Sequence, residues 1–184
     1  MAVLIHSALV VSLLLGSFVA DASGIPPAYR HIAAETRVPA EVLYAVALTE
    51  SGQSALSGGH WRPWPWTLNV NGRGQYFASR YHAWQTLQHS LRQVTTSVDI
   101  GLMQVSWRYH RTALVSSWHA LDPHHNLRVA AAILQSCYDK HRDWWASAGC
   151  YHAPNHSARA RAYTQRVQRH WRNLNVRTTE GDVT

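Results

Sequence analysis

The stretch PAEVLYAVALTESG, residues 39–52, combines an apolar helical face with one carboxylate near its end. Pro39 suits the start of a helix, because the N–H that it lacks would have no partner in the first turn. Four residues at the spacing i, i+3, i+4 and i+7 share one face: Leu43, Val46, Ala47 and Glu50. A carboxyl at the end of a buried face loses hydration when it ionises, which raises its pKa and suits a general acid. The alternative is a helix-end glutamate that bonds to solvent or to a basic partner.

Downstream of this helix, residues 52–77 are rich in Gly, Pro and Trp and predict irregular structure around one short hairpin. Residues 66–70 and 75–77 supply the two strands. Asn71-Gly72 lies between them, and this dipeptide favours the positive φ angles of a tight type I′ turn. We therefore expect a small β-hairpin inserted in a helical chain.

Helical periodicity covers most of the remaining chain. The first helix is expected from Pro26-Pro27 to Thr36. Later helix starts are expected at Ser79, at Asp99 or Gly101, at Asp122, at Asp143 and at Ser157. In this scheme the run Leu102-Met103-Gln104 is helical. Six or seven helices and one hairpin predict a mainly α (α+β) domain.

The N-terminus predicts an export signal. Residues 1–20 contain no Lys or Arg and are largely apolar, and Ala20-Asp21-Ala22 fits the small-x-small pattern of a signal-peptidase site. We expect a signal peptide over residues 1–22, with a retained anchor as the alternative, and a mature domain over residues 23–175. Residues 176–184 are polar and are expected to form a flexible tail. The expected location is the periplasm or another exported compartment.

The formal net charge of +7 suits a polyanionic partner. Peptidoglycan with its peptide carboxylates, lipid head groups and nucleic acid all meet that description, and charge alone does not choose among them. The arginine-rich stretch 159–172 is the only feature that favours nucleic acid. Arginines at such spacing more often mark a solvated helix face, so nucleic acid is the weakest of these candidates.

The two cysteines, Cys137 and Cys150, form an even pair, which an oxidising compartment converts most simply into one disulfide between neighbouring helices. A catalytic cysteine would instead need a reduced thiolate of low pKa, which export disfavours. Histidines are numerous, but the pairs at 124 and 125 and at 152 and 156 lack an HExxH-type pattern. We therefore expect neither a metal site nor a cofactor.

Four short motifs occur in order along the chain: Thr49-Glu50-Ser51-Gly52, Gly101-Leu102-Met103-Gln104-Val105, Cys150-Tyr151-His152-Ala153 and Ala162-Tyr163-Thr164-Gln165-Arg166-Val167. Together they closely resemble the motifs of the soluble lytic transglycosylase (SLT) family of the lysozyme superfamily. The resemblance implies a lysozyme-like helical domain that cleaves the glycan strands of peptidoglycan. Residues 64–77 resemble the transglycosylases of conjugative elements, type IV secretion or pilus systems, which implies such an apparatus as a further partner.

The resemblance also implies roles for individual residues. Glu50 is the single catalytic acid/base, and Ser51 lies beside the bound N-acetyl group. Gln104, together with Met103, lines the floor of the groove near the cleaved bond. For Met103 the alternative is ordinary packing in the core.

Two motif tyrosines and a histidine complete the implied site. Tyr151 shapes the pocket of the acid, and Tyr163 reaches toward the catalytic carboxylate, with core packing as the alternative for Tyr163. His152 is expected to contact substrate. The family usually has Asn at the position of His152 and often has Gly near that of Pro154, so these departures change the details of substrate contact.

The shortage of carboxylates separates two mechanisms. A hydrolytic lysozyme needs a second Asp or Glu across the sugar, and Asp99, the nearest in sequence to a site motif, is more simply a helix cap. Without a second carboxylate, the family mechanism applies, in which the N-acetyl oxygen stabilises the cationic centre and Glu50 deprotonates the muramyl 6-hydroxyl. The product is a 1,6-anhydromuramyl end. A hydrolytic, goose-type-like lysozyme and a non-catalytic wall-binding scaffold remain alternatives.

Nine tryptophans exceed what a core of this size requires. Aromatic rings stack on the apolar faces of sugars, so Trp61, Trp64 and Trp66 are expected to line the glycan groove. The alternative is a packed corner that Pro63 and Pro65 hold in place.

Overall fold

A buried central helix organises the fold. In the computed structural model, which describes residues 24–54, 61–93 and 96–181 with side chains to residue 174, helix α2 spans Ala40–Ser51. Residues 42–48 are all buried, because this helix is apolar on every side and not on one face only. The preceding helix, α1, spans Pro27–Thr36, as the sequence predicts, and buries Tyr29 and Ile32.

Six further helices follow among the described residues: α3 (Arg80–Leu91), α4 (Trp107–Leu114), α5 (Ser117–Ala120), α6 (Pro123–His141), α7 (Trp144–His152) and α8 (Ser157–Gly181). Helix α8 lies against α2 and α7, and helix α6 lies against α1 and α7. The predicted mainly α architecture is confirmed. Within the described ranges, no helix is both long and apolar enough to cross a membrane.

Side-chain caps begin four of the described helices, and the sequence predicts three of them; the fourth is Ser116 at the start of α5. Ser79, Asp122 and Asp143 each accept the backbone N–H three residues further along, as the sequence predicts. Each cap satisfies a donor that the first helical turn otherwise leaves unpaired. The backbone of α8 is helical as far as Gly181, past the expected domain end at residue 175. The expected signal peptide, residues 1–22, lies outside the described residues.

Short antiparallel strands connect α2 to the later helices. One sheet has the order β4 (Arg73–Tyr76), β3 (Thr67–Val70), β5 (Val98–Ile100) and β6 (Val105–Ser106), and β1 (Gly52–Gln53) pairs separately with β2 (Arg62–Pro63). The predicted hairpin joins β3 and β4 through Asn71 and Gly72. Their φ angles of 51° and 83° are both positive, as a type I′ turn requires. The small hairpin insertion is therefore confirmed.

The helix predicted to start at Asp99 or Gly101 is wrong. Asp99 lies in β5, where it pairs with Asn69 of β3 and with Ser106 of β6, so it is not a helix cap. Gly101 has a φ angle of 83° and begins a turn over residues 101–104. The helical interpretation fails because β5 is stabilised by pairing with β3, which is distant in sequence, and local periodicity does not reveal such a partner.

A disulfide joins α6 to α7 through Cys137 and Cys150, as the sequence predicts. Replacement of both cysteines by Ala should lower the free energy of unfolding by about 3 kcal/mol, because the cross-link restricts the intervening loop in the unfolded chain. Urea unfolding of the variant and of the wild-type protein measures the difference, and reduced wild type should unfold like the variant. Equal stability of the variant and the oxidised wild type would contradict this expectation.

Candidate active site

Glu50 lies in the last turn of α2, where this helix meets α7, α8 and β1. Its side chain is 13% exposed, so a ligand can reach a carboxyl that protein atoms largely surround. Burial raises the pKa of Glu50 to about 7, against the opposing effect of a hydrogen bond from Tyr163. A large fraction of the Glu50 side chains is therefore protonated at neutral pH, as a general acid requires.

Tyr163 of α8 holds the Glu50 carboxyl in place. The Tyr163 hydroxyl donates a hydrogen bond of 2.6 Å to Oε1 of Glu50. The tyrosine is 1% exposed, so its ring is fixed by packing and its hydroxyl has a defined direction. The Tyr163 hydroxyl thus fixes the orientation of the Glu50 carboxyl, which a proton donor needs.

His152, at the end of α7, lies beside the acid. Its ring stacks on that of Tyr163, with centroids 4.3 Å apart and planes inclined by 6°. Its Nδ1 is 3.9 Å from Oε1 of Glu50, and its side chain is 39% exposed. Burial, with the positive charges of Arg166 and Arg159, lowers the pKa of His152. The structure therefore places a neutral imidazole next to Glu50 at pH 7, where the resembled motif has Asn.

Ser51 and Tyr151 hold the turn over residues 101–104. The Ser51 hydroxyl donates to the Leu102 carbonyl over 2.7 Å, and Ser51 is fully buried. The Tyr151 hydroxyl donates to the Met103 carbonyl, also over 2.7 Å. The Met103 side chain is itself fully buried in the core. These hydrogen bonds tie the turn to α2 and α7, the two helices that carry Glu50 and the imidazole.

Asn126 of α6 also supports this turn, although it belongs to none of the four sequence motifs. Its fully buried amide accepts the N–H of Met103 at 3.0 Å and donates to the carbonyls of Ile100 and Ala120 at 2.9 and 3.0 Å. Gly101 makes room for it, because a Cβ there would lie 2.7 Å from the Asn126 amide. An amide among the apolar residues that α6 buries is the signal that could have revealed this role.

Gln104 ends the turn with a φ angle of 48° and a side chain that folds back over it. The Gln104 Nε2 donates to the carbonyls of Gly101 at 2.9 Å and Thr67 at 3.3 Å. Because Gln104 keeps part of its surface exposed, the side chain is oriented by the turn and still accessible from outside. This arrangement suits a residue that contacts a ligand.

The predicted site residues form two groups by exposure. Those that keep accessible surface are Glu50, Gln104, Tyr151, His152, Trp64 and Trp66, and those that are buried are Ser51, Met103 and Tyr163. Only the first group can touch a ligand without rearrangement, and the second holds the backbone and the acid in place. Among the residues described, no group of three or more His, Cys, Asp or Glu side chains is arranged to hold a metal ion.

Of the three tryptophans predicted to line a groove, Trp64 and Trp66 pack against each other, whereas the Trp61 side chain is exposed. Trp64 and Trp66 meet edge to face at 6.0 Å, and the Trp64 Nε1 donates to the Phe77 carbonyl over 2.7 Å. Trp61 is 47% exposed. It crosses the end of α2 so closely that a Cβ on Gly52 would lie 2.3 Å from its Nε1. Trp61 is therefore the most accessible aromatic side chain of the three.

Asp99 brings a second carboxylate into the surroundings of Glu50. Burial is the largest cause of the raised pKa of Glu50. The negative charge of Asp99 raises this pKa further, and the positive charge of Arg166 lowers it. Burial also raises the pKa of Asp99, against a hydrogen bond with Ser106. The Glu50 carboxyl is therefore subject to two opposing charges, the negative charge of Asp99 on β5 and the positive charge of Arg166 on α8.

A comparison with known families agrees with this arrangement. The family described as Transglycosylase SLT domain matches residues 28–172, which is well over half of the chain. The chain belongs to the SLT transglycosylase family. No curated protein and no solved structure gives a significant match.

The SLT match begins in α1 and ends in α8, so it includes Glu50, the turn and Tyr163. Members of the SLT family are lytic transglycosylases, and the match supports an enzyme that acts on peptidoglycan. Because the cell wall lies outside the cytoplasm, SLT membership also supports the expected export.

Tyr163→Phe should move the alkaline limb of the pH–rate profile of this SLT enzyme to higher pH. Burial raises the pKa of Glu50 and the Tyr163 hydrogen bond lowers it, so removal of the hydroxyl lets the pKa rise further. The measurement is kcat/KM on purified glycan strands as a function of pH, which reports ionisation of the free enzyme. Lower rates with an unchanged alkaline limb would mean that Tyr163 does not act on the Glu50 proton.

Proposed function

We propose that this chain is a peptidoglycan lytic transglycosylase that cleaves the β-1,4 bond between N-acetylmuramic acid and N-acetylglucosamine and leaves 1,6-anhydromuramyl ends. The observation that carries the proposal is the buried Glu50, with a pKa of about 7 and a hydrogen bond from Tyr163. A carboxyl with such a pKa can release a proton in one step and accept one in the next at little cost near neutral pH.

The reaction requires one carboxyl to act twice. Glu50 donates its proton to the glycosidic oxygen as the bond from that oxygen to C1 of the muramyl residue breaks. The N-acetyl oxygen of the same sugar stabilises the positive charge at C1. The ionised Glu50 then removes the proton of the muramyl 6-hydroxyl, whose oxygen forms the new bond to C1. Glu50 ends protonated as it began, and no water is consumed.

Residues with accessible surface near the acid are the proposed sugar contacts. Gln104 and Tyr151 both bond to the turn over residues 101–104, and His152 lies 3.9 Å from the Glu50 carboxyl. Polar groups held by buried neighbours suit a sugar, because they need no reorganisation when substrate arrives. Ser51, Met103 and Tyr163 would support the site from below, and Trp64 and Trp66 would form one wall of the groove.

The proposed setting is the exported cell envelope, where the enzyme opens the wall locally during assembly of a secretion or conjugation apparatus. Two observations support this setting. The net charge of +7 suits an anionic polymer, and residues 64–77 resemble the transglycosylases of such systems. The apolar N-terminal residues 1–22 would direct export.

Glu50→Gln should abolish cleavage while it leaves the fold intact. Mass spectrometry of digested glycan strands should find anhydromuropeptides from the wild-type protein only. The variant should also be more stable than wild type above pH 7, by up to about 3 kcal/mol. The reason is that folding raises the pKa of Glu50 above its ordinary value of 4.5, so its ionisation costs stability as pH rises toward 7.

Two outcomes would overturn the proposal. Preserved cleavage by Glu50→Gln would remove this residue from the mechanism. Tight binding of glycan strands without cleavage by the wild-type protein would instead indicate a non-catalytic wall-binding scaffold.

A hydrolytic lysozyme is the second candidate, because the negative charge of Asp99 contributes to the raised pKa of Glu50. Asp99 is therefore a second carboxylate near the catalytic acid. A hydrolase would use this second carboxylate to activate or replace water, and its products would be heavier by one water molecule. For the transglycosylase, Asp99→Asn should preserve anhydro products and lower the pH at which kcat/KM declines. Reducing-end products from the wild-type protein, with their loss in Asp99→Asn, would favour the lysozyme.

A further inference from the structure

Two arginines of α8 flank the tyrosine that holds the acid. Arg159, Tyr163 and Arg166 occupy positions i, i+4 and i+7, which lie on one face of a helix. Tyr163 directs that face toward Glu50, because its hydroxyl bonds to the carboxyl. The two arginines are exposed and therefore lie at the rim of the site, one turn before and one turn after the tyrosine.

Contacts and electrostatic effects confirm this proximity. The guanidinium carbon of Arg166 lies 5.4 Å from the centroid of the Tyr163 ring. Burial is the largest cause that lowers the pKa of His152, and the positive charges of Arg166 and Arg159 lower it further. The Nδ1 of His152 is 3.9 Å from the Glu50 carboxyl. Both guanidinium groups thus act on the imidazole that lies beside the acid.

Within the part of the chain that the structure describes, neither cation forms an ion pair with a carboxylate. The ion pairs among the described residues involve Glu35, Glu50 and Asp122, and none includes Arg159 or Arg166. The Glu50 carboxyl, on whose pKa the positive charge of Arg166 acts, is only partly ionised at neutral pH because that pKa is about 7. The rim is therefore a pair of positive groups that an anionic ligand would stabilise.

The proposed substrate carries such anions next to the cleaved bond. The muramyl residue bears a lactyl group that is amide-linked to a short peptide, and this peptide has free carboxylates. When C1 of that sugar lies at Glu50, the peptide leaves the same sugar ring and can reach the rim. A guanidinium group binds a carboxylate through two parallel hydrogen bonds, which makes Arg well suited to this ligand.

We propose that Arg159 and Arg166 form a subsite for the carboxylates of the peptide on the muramyl residue at the cleaved bond, so that the enzyme prefers peptide-bearing strands to bare glycan. This inference rests on the proposed function and names the part of the substrate that the site recognises beyond the sugars.

The test compares two substrates and two variants. Glycan strands with their peptides, and the same strands after an amidase has removed the peptides, are digested by the wild type, by the double variant Arg159→Gln/Arg166→Gln and by Arg161→Gln. Arg161 is the matched control, because it is an exposed arginine two residues before Tyr163 and hence on the opposite face of α8. The measured quantity is kcat/KM for release of new chain ends at low and at moderate salt.

The wild type should cleave peptide-bearing strands more efficiently. The double variant should lose about tenfold in kcat/KM on these strands, which is the size expected for two exposed ion pairs. On bare strands it should stay within about twofold of wild type, as should the control on both substrates. The comparison is made below the pKa of Glu50, where the effect of Arg166 on that pKa no longer changes the protonated fraction. The loss should be smaller at higher salt, because salt screens exposed charges.

Other results would overturn the inference. An equal loss on both substrates would mean that the arginines act through Glu50 or Tyr163 and not on the peptide. A double variant that matches wild type on peptide-bearing strands would remove the subsite altogether. A wild-type protein that cleaves neither substrate would instead overturn the proposed function, so the two failures are distinguishable.

Discussion

The hydrogen bond from Tyr163 to Glu50 joins α8 to the end of α2, and the rest of the site is arranged around it. Burial of a carboxyl is costly unless a partner satisfies it, and the tyrosine hydroxyl is that partner. Tyr163 can reach the acid only because α8 packs along α2. The same packing brings α7 close enough for the His152 ring to stack on the tyrosine. A single buried polar contact therefore relates the positions of three helices.

The turn over residues 101–104 is the second constraint, because its buried backbone groups need hydrogen-bond partners. Ser51, Asn126 and Tyr151 provide partners from three different helices, α2, α6 and α7. Ser51 directly follows the acid, and Tyr151 directly precedes the imidazole, so the sequence neighbours of the two ionisable groups anchor the turn. Ser51 and Tyr151 thus hold the turn in place, in addition to any contact that Tyr151 makes with a sugar.

Features that depend on neighbouring residues were predictable from the residue pattern. The helix that ends near Glu50, the caps at Asp122 and Asp143 and the turn at Asn71-Gly72 reflect backbone geometry within a few positions, and each was predicted correctly. The helix start predicted at Asp99 or Gly101 was wrong. The strand and turn over residues 98–104 are stabilised by pairing with β3 and by a buried amide on α6, and partners so distant in sequence leave no local signal.

The residue pattern also identified the acid and, through its four ordered motifs, the family that the comparison later supported. Only the tertiary structure determined which groups surround Glu50. Burial and the Tyr163 hydrogen bond act on the pKa of Glu50 together with Asp99 and Arg166, which belong to the sheet and to α8. Their effects depend on distances between groups far apart in sequence. Packing alone sets those distances, because a helix or strand signal specifies a local backbone shape and not its neighbours in space.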